Sequence, residues 1–329
     1  MPDYPFPLPL APAAKRVFSE LKPDLVHTQS PFMLSVLGAR WARQYNVPLV
    51  ATNHTLYTEY AHYAPIRPKS LTKRFLIDLI RWYYSGPDAV VVPSGPVAKM
   101  LRSYGIKNRM EVIKTGVDPI PPLTPEDREA ARELRGVGPG DFLLLYVGRI
   151  AREKNLRMLL TAFKTVLTAH PQSKLVLVGG GPALAETKEY ADGLQLGDKV
   201  EFMGMLPRND IEPVYGAADA FAFPSTTETQ GIAICEALSA GLPVVAVDAG
   251  GLPENLENGC DGFLTADDPA EFADRISFLI KSSDDRRQMS VRARQNALNF
   301  SIDRMVDEFE SLYQSVINAA DQTATAGAS

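Results

Sequence analysis

"FLLLYVG" (residues 142–148) is an almost unbroken apolar run that stops at a glycine, and "RIAREKN" (149–155) follows it with three cations. A strand with one wet face alternates apolar and polar residues, whereas a strand apolar throughout is covered on both faces, as parallel strands are. The same rhythm returns at "KLVLVGGG" (174–181), "KVEFMG" (199–204), "AFAFPS" (220–225), "PVVAVD" (243–248) and "DGFLT" (261–265), with helix-period segments between. Right-handed crossovers would wind six such strands into a doubly wound parallel sheet. Toward the N-terminus, "DLVHT" (24–28), "PLVAT" (48–52), "AVVVPS" (89–94) and "MEVIKTG" (110–116) repeat the pattern, separated by helical stretches around 31–45, 70–85 and 95–104. The expected fold class is α/β, with two Rossmann-like doubly wound parallel-sheet domains facing each other across a cleft. Residues 1–116 are expected to form the first domain, 117–140 a proline- and charge-rich linker, and 141–300 the second domain. A helix at 301–318 is expected to pack back toward the first domain, and the low-complexity end 319–329 to be disordered.

The chain has 329 residues, 45% of them hydrophobic, enough to bury two cores. No run of about 18 apolar residues occurs, so no membrane-spanning helix is expected. The proline-rich opening places its basic residues after the apolar stretch, the wrong order for a secretory signal. A cytoplasmic protein is the expectation. Cys235 and Cys260 form no spaced cluster, so neither a disulfide framework nor a zinc site is indicated. The net charge of −5 conceals an asymmetry: residues 1–116 carry 15 Lys plus Arg against 7 Asp plus Glu, and residues 117–329 carry 19 against 32. A basic first half favours phosphate or anionic lipid. Motifs that read nucleic acid are absent, so no nucleic-acid partner is expected.

In open α/β sheets ligands bind beyond the carboxyl ends of the strands, at helix N-termini. Gly148, Arg149 and Lys154 follow the first strand of the second half, "VGGGP" with Gly180 the next, and "PSTTETQG" and "DAGGLPE" two later ones. Singly, each glycine makes a tight strand-to-helix turn. Together, two cations, several glycines and helix starts on one sheet edge form a receptacle for a diphosphate. "GGGPAL" lacks the third glycine of G-x-G-x-x-G, which argues against a dinucleotide cofactor.

These motifs, with "ETQGIAICEA", "DGFL" and the spacing Glu228-x7-Glu236, resemble the retaining family-4 glycosyltransferases in order and spacing, over nearly the whole chain. The resemblance implies the GT-B architecture and a nucleotide-diphosphate sugar, UDP-glucose first, as co-substrate, with no cofactor. It implies that Arg149 and Lys154 hold the donor diphosphate and that Glu236 holds the ribose hydroxyls. Glu228, with the backbone N–H groups of Thr229, Gln230 and Gly231, would hold the donor sugar. The nucleobase would lie near Met203 to Leu206. No D-x-D tripeptide occurs, so no metal clamp is expected. A glycosidase-like pair of carboxylates is the rival reading of Glu228 and Glu236. It leaves the glycine between them unexplained. A non-catalytic nucleotide-sugar binder and a sugar-nucleotide epimerase remain alternatives.

In the first half, "VHTQSPF" and "VATNHTLYTEYAHYAPIRP" resemble the subgroup that glucosylates diacylglycerol, a lipid acceptor. His27, Gln29, His54, Tyr57 and Tyr60 are the acceptor-side candidates, and His54 is also a catalytic candidate. Gln29 stands where the wider family often has histidine. The segment 67–85 is basic and amphipathic: Leu71, Phe75, Leu76, Leu79, Ile80 and Tyr83 form an apolar stripe beside Arg67, Lys69, Lys73, Arg74 and Arg81. The stripe is expected to pack on the sheet, while the cations reach an anionic membrane surface. The opening "MPDYPFPLPLAPAAKR" resembles a segment well inside the family's N-terminal domain, so that domain is expected to be incomplete.

Overall fold

The computed structural model describes residues 12–58 and 69–326. Tyr60 and Arg67 lie outside the described residues. Two compact units emerge, one of residues 1–114 and 305–329, the other of residues 115–304.

The N-terminal unit runs α1 (Pro12–Leu21), β1 (Val26–Thr28), α2 (Met33–Gln44), β2 (Leu49–Thr52), α3 (Lys69–Tyr84), β3 (Ala89–Val92), α4 (Gly95–Ser103) and β4 (Arg109–Val112). Its four strands are parallel in the order β1-β2-β3-β4. An order without reversal, joined by right-handed crossovers, puts every connecting helix on the same face. Leu49, Ala51, Val90 and Val92 point to that face, into a core with Ile80, Tyr84 and Leu101. The alternate residues Val50, Ala89 and Val91 need another cover. The C-terminal helix supplies it through Leu312 and Val316.

The C-terminal unit begins with α5 (Pro125–Glu133) and continues with β5 (Phe142–Val147), α6 (Leu156–Ala169), β6 (Ser173–Val178), α7 (Leu184–Gly193) and β7 (Val200–Gly204). After β7 come α8 (Arg208–Ala217), β8 (Ala220–Phe223), α9 (Ile232–Ser239), β9 (Val244–Val247), β10 (Gly262–Thr265), α10 (Pro269–Lys281) and α11 (Ser283–Ala297), and the last helix, α12 (Ile302–Ala326), belongs to the N-terminal unit from residue 305 onward. The sheet order is β10-β9-β8-β5-β6-β7, all parallel. Chain order therefore reverses between β5 and β8, which is the switch point of a doubly wound sheet. β5, β8 and β9 are buried at every residue, as their apolar runs require.

Three expectations need correction. The stretch 117–140 is no free linker: α5 lies inside it, capped by Thr124 accepting from the Asp127 N–H at 3.1 Å, with Pro125 and two acidic residues in its first turn. That start signal is legible in the sequence, and Ala131 joins the C-terminal core. The end of the chain is helix through Ala326, because the 3.6-residue pattern that buries Leu312 and Val316 carries the last turns with it. The stripe on α3 is divided: Ile80 and Tyr83 are buried, while Leu71 and Phe75 are 60% and 64% exposed and join Trp82 (58%) along the outer face.

Candidate active site at the sheet switch point

The loops that leave the carboxyl edge of the C-terminal sheet are stitched to one another through their backbones. The Gly148 N–H donates to the Val178 carbonyl at 3.0 Å, Ile150 to Gly180 at 2.9 Å, Gly179 to Gly204 at 2.8 Å and Gly251 to Glu228 at 3.0 Å. So close an approach excludes side chains. A Cβ on Gly179, whose φ is +134°, would fall on the Gly148 carbonyl.

Two cations enter from the β5 loop. Lys154 ends a 3-10 turn (Arg152–Lys154), and Asn155 turns the chain into α6 in the left-handed region at φ 55°. Across the switch point, the Lys154 Nζ lies 2.5 Å from the Glu228 Oε1, each side chain 13% exposed. The Arg149 Nη2 pairs with the Glu153 Oε1 at 2.8 Å. The two expected diphosphate ligands are thus each balanced by a carboxylate. Glu153 is a residue that the sequence reading missed, although its i,i+4 spacing from Arg149 was visible. Below them the Tyr146 hydroxyl donates to the Arg149 carbonyl at 3.0 Å. Burial, reinforced by the carboxylates of Glu228 and Glu153, pushes the Tyr146 phenol far above its ordinary ionisation, so it stays neutral.

Gly231 caps α9 with φ 84°. A side chain there would meet Leu252 as well as the cost of the left-handed region. The unsatisfied amides of the first turn of α9 add partial positive charge beside Glu228. Thr229 is half-buried in this loop. Gln230 is buried, and its carboxamide accepts from the Thr115 N–H at 2.8 Å and donates to the Thr115 carbonyl at 2.9 Å. Its side chain holds the loop, which leaves only its backbone for a ligand.

Glu236, on α9, faces elsewhere than Glu228. Its Oε2 accepts from the Tyr215 hydroxyl at 3.0 Å and its Oε1 lies 3.5 Å from the Arg208 guanidinium. Burial raises the Glu236 carboxyl, partly offset by Tyr215 and Arg208. Neither partner was a sequence candidate, since only tertiary packing brings α8 to α9. Met203 and Leu206 lean on the core. Met205 between them is the side chain turned outward, 83% exposed and against Gly180.

In the N-terminal unit the acceptor-side candidates form a neutral network. The Nδ1 of His27 lies 2.6 Å from the Tyr313 hydroxyl and its Nε2 2.7 Å from the Thr52 hydroxyl. Burial, then the proximity of His54, brings the His27 imidazole down to about 4. His27 is a neutral tie between β2 and α12, with both ring nitrogens hydrogen-bonded to hydroxyls. His54 bonds the Gln29 carboxamide oxygen at 2.7 Å, and desolvation lowers its imidazole too. The Tyr57 ring meets Phe32 edge-on at 5.4 Å.

The sequence profile described as Glycosyl transferases group 1 matches residues 127–296, and that described as Glycosyltransferase Family 4 matches residues 1–120. The chain is 38% identical over 241 residues to the alpha-monoglucosyldiacylglycerol synthase of Streptococcus pneumoniae, covering 71% of this chain and 54% of that one. It is 31% identical over 294 residues to a D-inositol 3-phosphate glycosyltransferase of Nocardia farcinica, covering 84% and 63%. It therefore spans about half to two thirds of the length of these curated relatives. Among solved structures, that of Anabaena Alr3699/HepE in complex with UDP and glucose aligns with a TM-score of 0.78 at 25% identity, over 92% of this chain and 81% of that one. With two parallel-sheet α/β domains and more than half its length matched by one profile, the chain belongs to the group 1, family 4 glycosyltransferases of GT-B fold.

Proposed function

We propose that this protein transfers a hexose, with retention of configuration, from UDP-glucose to a lipid hydroxyl of the diacylglycerol type, without a metal ion. The observation that carries this reading is the meeting of Arg149, Lys154, Glu228 and the N-terminus of α9 at the switch point of the sheet. Breaking a sugar–diphosphate bond builds positive charge on the sugar and negative charge on the leaving group. Fixed cations and helix amides aimed at the diphosphate oppose that charge without reorganising. The Glu228 carboxylate, released from Lys154 as the diphosphate takes the ammonium, accepts from hydroxyls of the donor sugar, and Glu236 accepts from the ribose.

The acceptor class is supported by the name of the pneumococcal relative and by α3. Leu71, Phe75 and Trp82 are exposed along one face of that helix, with Lys73, Arg74 and Arg81 flanking it. Such a face suits a peripheral position on anionic lipid at the cytoplasmic side of a membrane. Each cation there is worth about 1 kcal/mol. The test is a donor panel of UDP-glucose, UDP-galactose, GDP-mannose and UDP-N-acetylglucosamine against diacylglycerol in mixed vesicles, with D-inositol 3-phosphate as a soluble acceptor arm. Glucosyl-diacylglycerol formed from UDP-glucose in the presence of chelator is the expected product. Transfer only to the inositol phosphate, or only with a divalent cation, would overturn the reading.

A further inference from the structure

At the opposite edge of the C-terminal sheet, by the amino ends of β8 and β9, lies a hollow of about 350 Å³. Its lining includes Arg128, Arg286, Arg287 and Arg294, and its carboxylate is Asp219. The hollow sits at the carboxyl end of α9, against Ala240 and Gly241, whereas the donor residues gather at the other end of that helix. Eight residues of α-helix separate the two places by about 12 Å.

The guanidinium charges exceed what the protein returns to them. Asp219 is already shared, with Arg128 at 2.8 Å and the buried Arg132 at 2.9 Å. Arg294 spends its donors on backbone carbonyls of Ser239 at 2.8 Å and Ala240 at 2.6 Å, capping α9. Arg286 donates to the Leu279 carbonyl at 2.5 Å. Among the described residues Arg287 pairs with Asp284, whereas neither Arg286 nor Arg294 has a carboxylate within ion-pair distance, so the surplus rests on these two. Burial lowers both guanidinium groups, and at Arg286 the neighbouring Arg128 and Arg132 act in the same direction against Asp219. Residues 286, 290 and 294 fall four apart on α11, so Arg286, Ser290 and Arg294 line the hollow as one stripe. All this occurs in the acidic part of the chain, where residues 117–329 carry 19 basic against 32 acidic side chains.

We propose that this hollow is a second ligand site, distinct from the donor site, which binds a phosphoryl dianion, free or as the monoester of a sugar-sized molecule. A dianion neutralises the surplus, and guanidinium forks match phosphate oxygens in geometry. The volume admits a phosphate with a small polyol attached. The test is calorimetric titration of the full chain at low salt with inorganic phosphate and, separately, with glucose 6-phosphate, each with and without saturating UDP. Ser290→Asp adds a negative charge to the stripe while every arginine stays in place, and Ser290→Asn is the neutral control. Expected results are saturable binding of one or both anions, unaffected by UDP, weakened at least about tenfold in Ser290→Asp and retained in Ser290→Asn. Tighter binding of the ester assigns a metabolite as the occupant, and tighter binding of phosphate assigns the free anion. Absence of binding by both probes, displacement by UDP, or equal affinity in Ser290→Asp with its fold verified by circular dichroism would overturn the proposal.

Discussion

Beyond β5 and β8 the C-terminal sheet ends in an ion pair, Lys154 with Glu228, each side chain 13% exposed. Beyond β1 and β2 the N-terminal sheet ends in neutral groups: His27 held between Tyr313 and Thr52, and His54 on Gln29. The first arrangement keeps two opposite charges at hand, which under the proposed function would be taken by an entering dianion and a sugar hydroxyl. The second has nothing to offer a charge, and its hydrogen bonds hold strands and helix in place. The difference follows from packing. The C-terminal edge is assembled from glycine-rich loops that leave long polar side chains room, whereas α12 covers His27 with Phe309 and Tyr313 at centroid distances of 5.4 and 5.6 Å.

The strongest way to break that comparison is Lys154→Met. Loss of the cation should lower the transfer rate by about 10²–10³. It should also destabilise the fold by about 3–5 kcal/mol, since the largely buried Glu228 loses its ion-pair partner. Adding Glu228→Gln should restore most of the melting temperature and none of the activity. A double variant no more stable than the single one would mean that the pair does not act as a pair.

Gly231→Ala should cost about 1–3 kcal/mol, from the left-handed backbone and the contact with Leu252. The donor affinity should fall with it, as read by calorimetry with UDP. An unchanged melting curve would show that the loop relaxes and that α9 is not fixed by its cap.

His27→Gln sharpens the other side. The folded imidazole, at about 4, lies below its unfolded value near 6.5. Between these values the unfolded chain binds more protons, so this residue's contribution is complete above about pH 6.5 and disappears as pH falls toward 4. The variant should lose about 1–2 kcal/mol at neutral pH with the hydrogen bonds, and its stability should fall less steeply in acid than that of the parent. Parallel pH profiles would contradict the neutral-tie assignment.

At the surface of α3 the effect should fall on membrane partition and leave stability nearly unchanged. Lys73→Glu with Arg74→Glu should weaken partition to anionic vesicles by about 1 kcal/mol per cation lost and change little in added salt. Equal flotation of the parent with neutral and anionic vesicles would remove the electrostatic part of the docking.

Much of the fold was legible because a strand buried on both faces has no choice of composition. "FLLLYV" and "VVAV" cannot sit at a wet surface, and both are fully buried. That Arg149, Lys154, Glu228 and Gly231 stand in the loops after β5 and β8 was legible as well, because each lies within eight residues of the end of such a run. α5 was missed despite a clear Thr-Pro-Glu-Asp start, since proline and charge also mark linkers. The partners of Glu236, namely Arg208 and Tyr215, were not legible as partners. A side chain's neighbour across two helices depends on how the helices pack, and nothing local encodes that.

The amino-acid order by itself determined that this chain forms parallel strands covered on both faces, where each strand stops, and which glycines and cations stand at the stops. Tertiary structure alone decided the strand order that sets β5 beside β8 and so brings Lys154 to Glu228. It alone decided that α12, expected to return to the first domain, sets Leu312 and Val316 on the second face of that sheet. Strand composition records the need for burial, a one-body property. Strand order and helix placement are settled by which pairs of surfaces fit, and that depends on the whole chain at once.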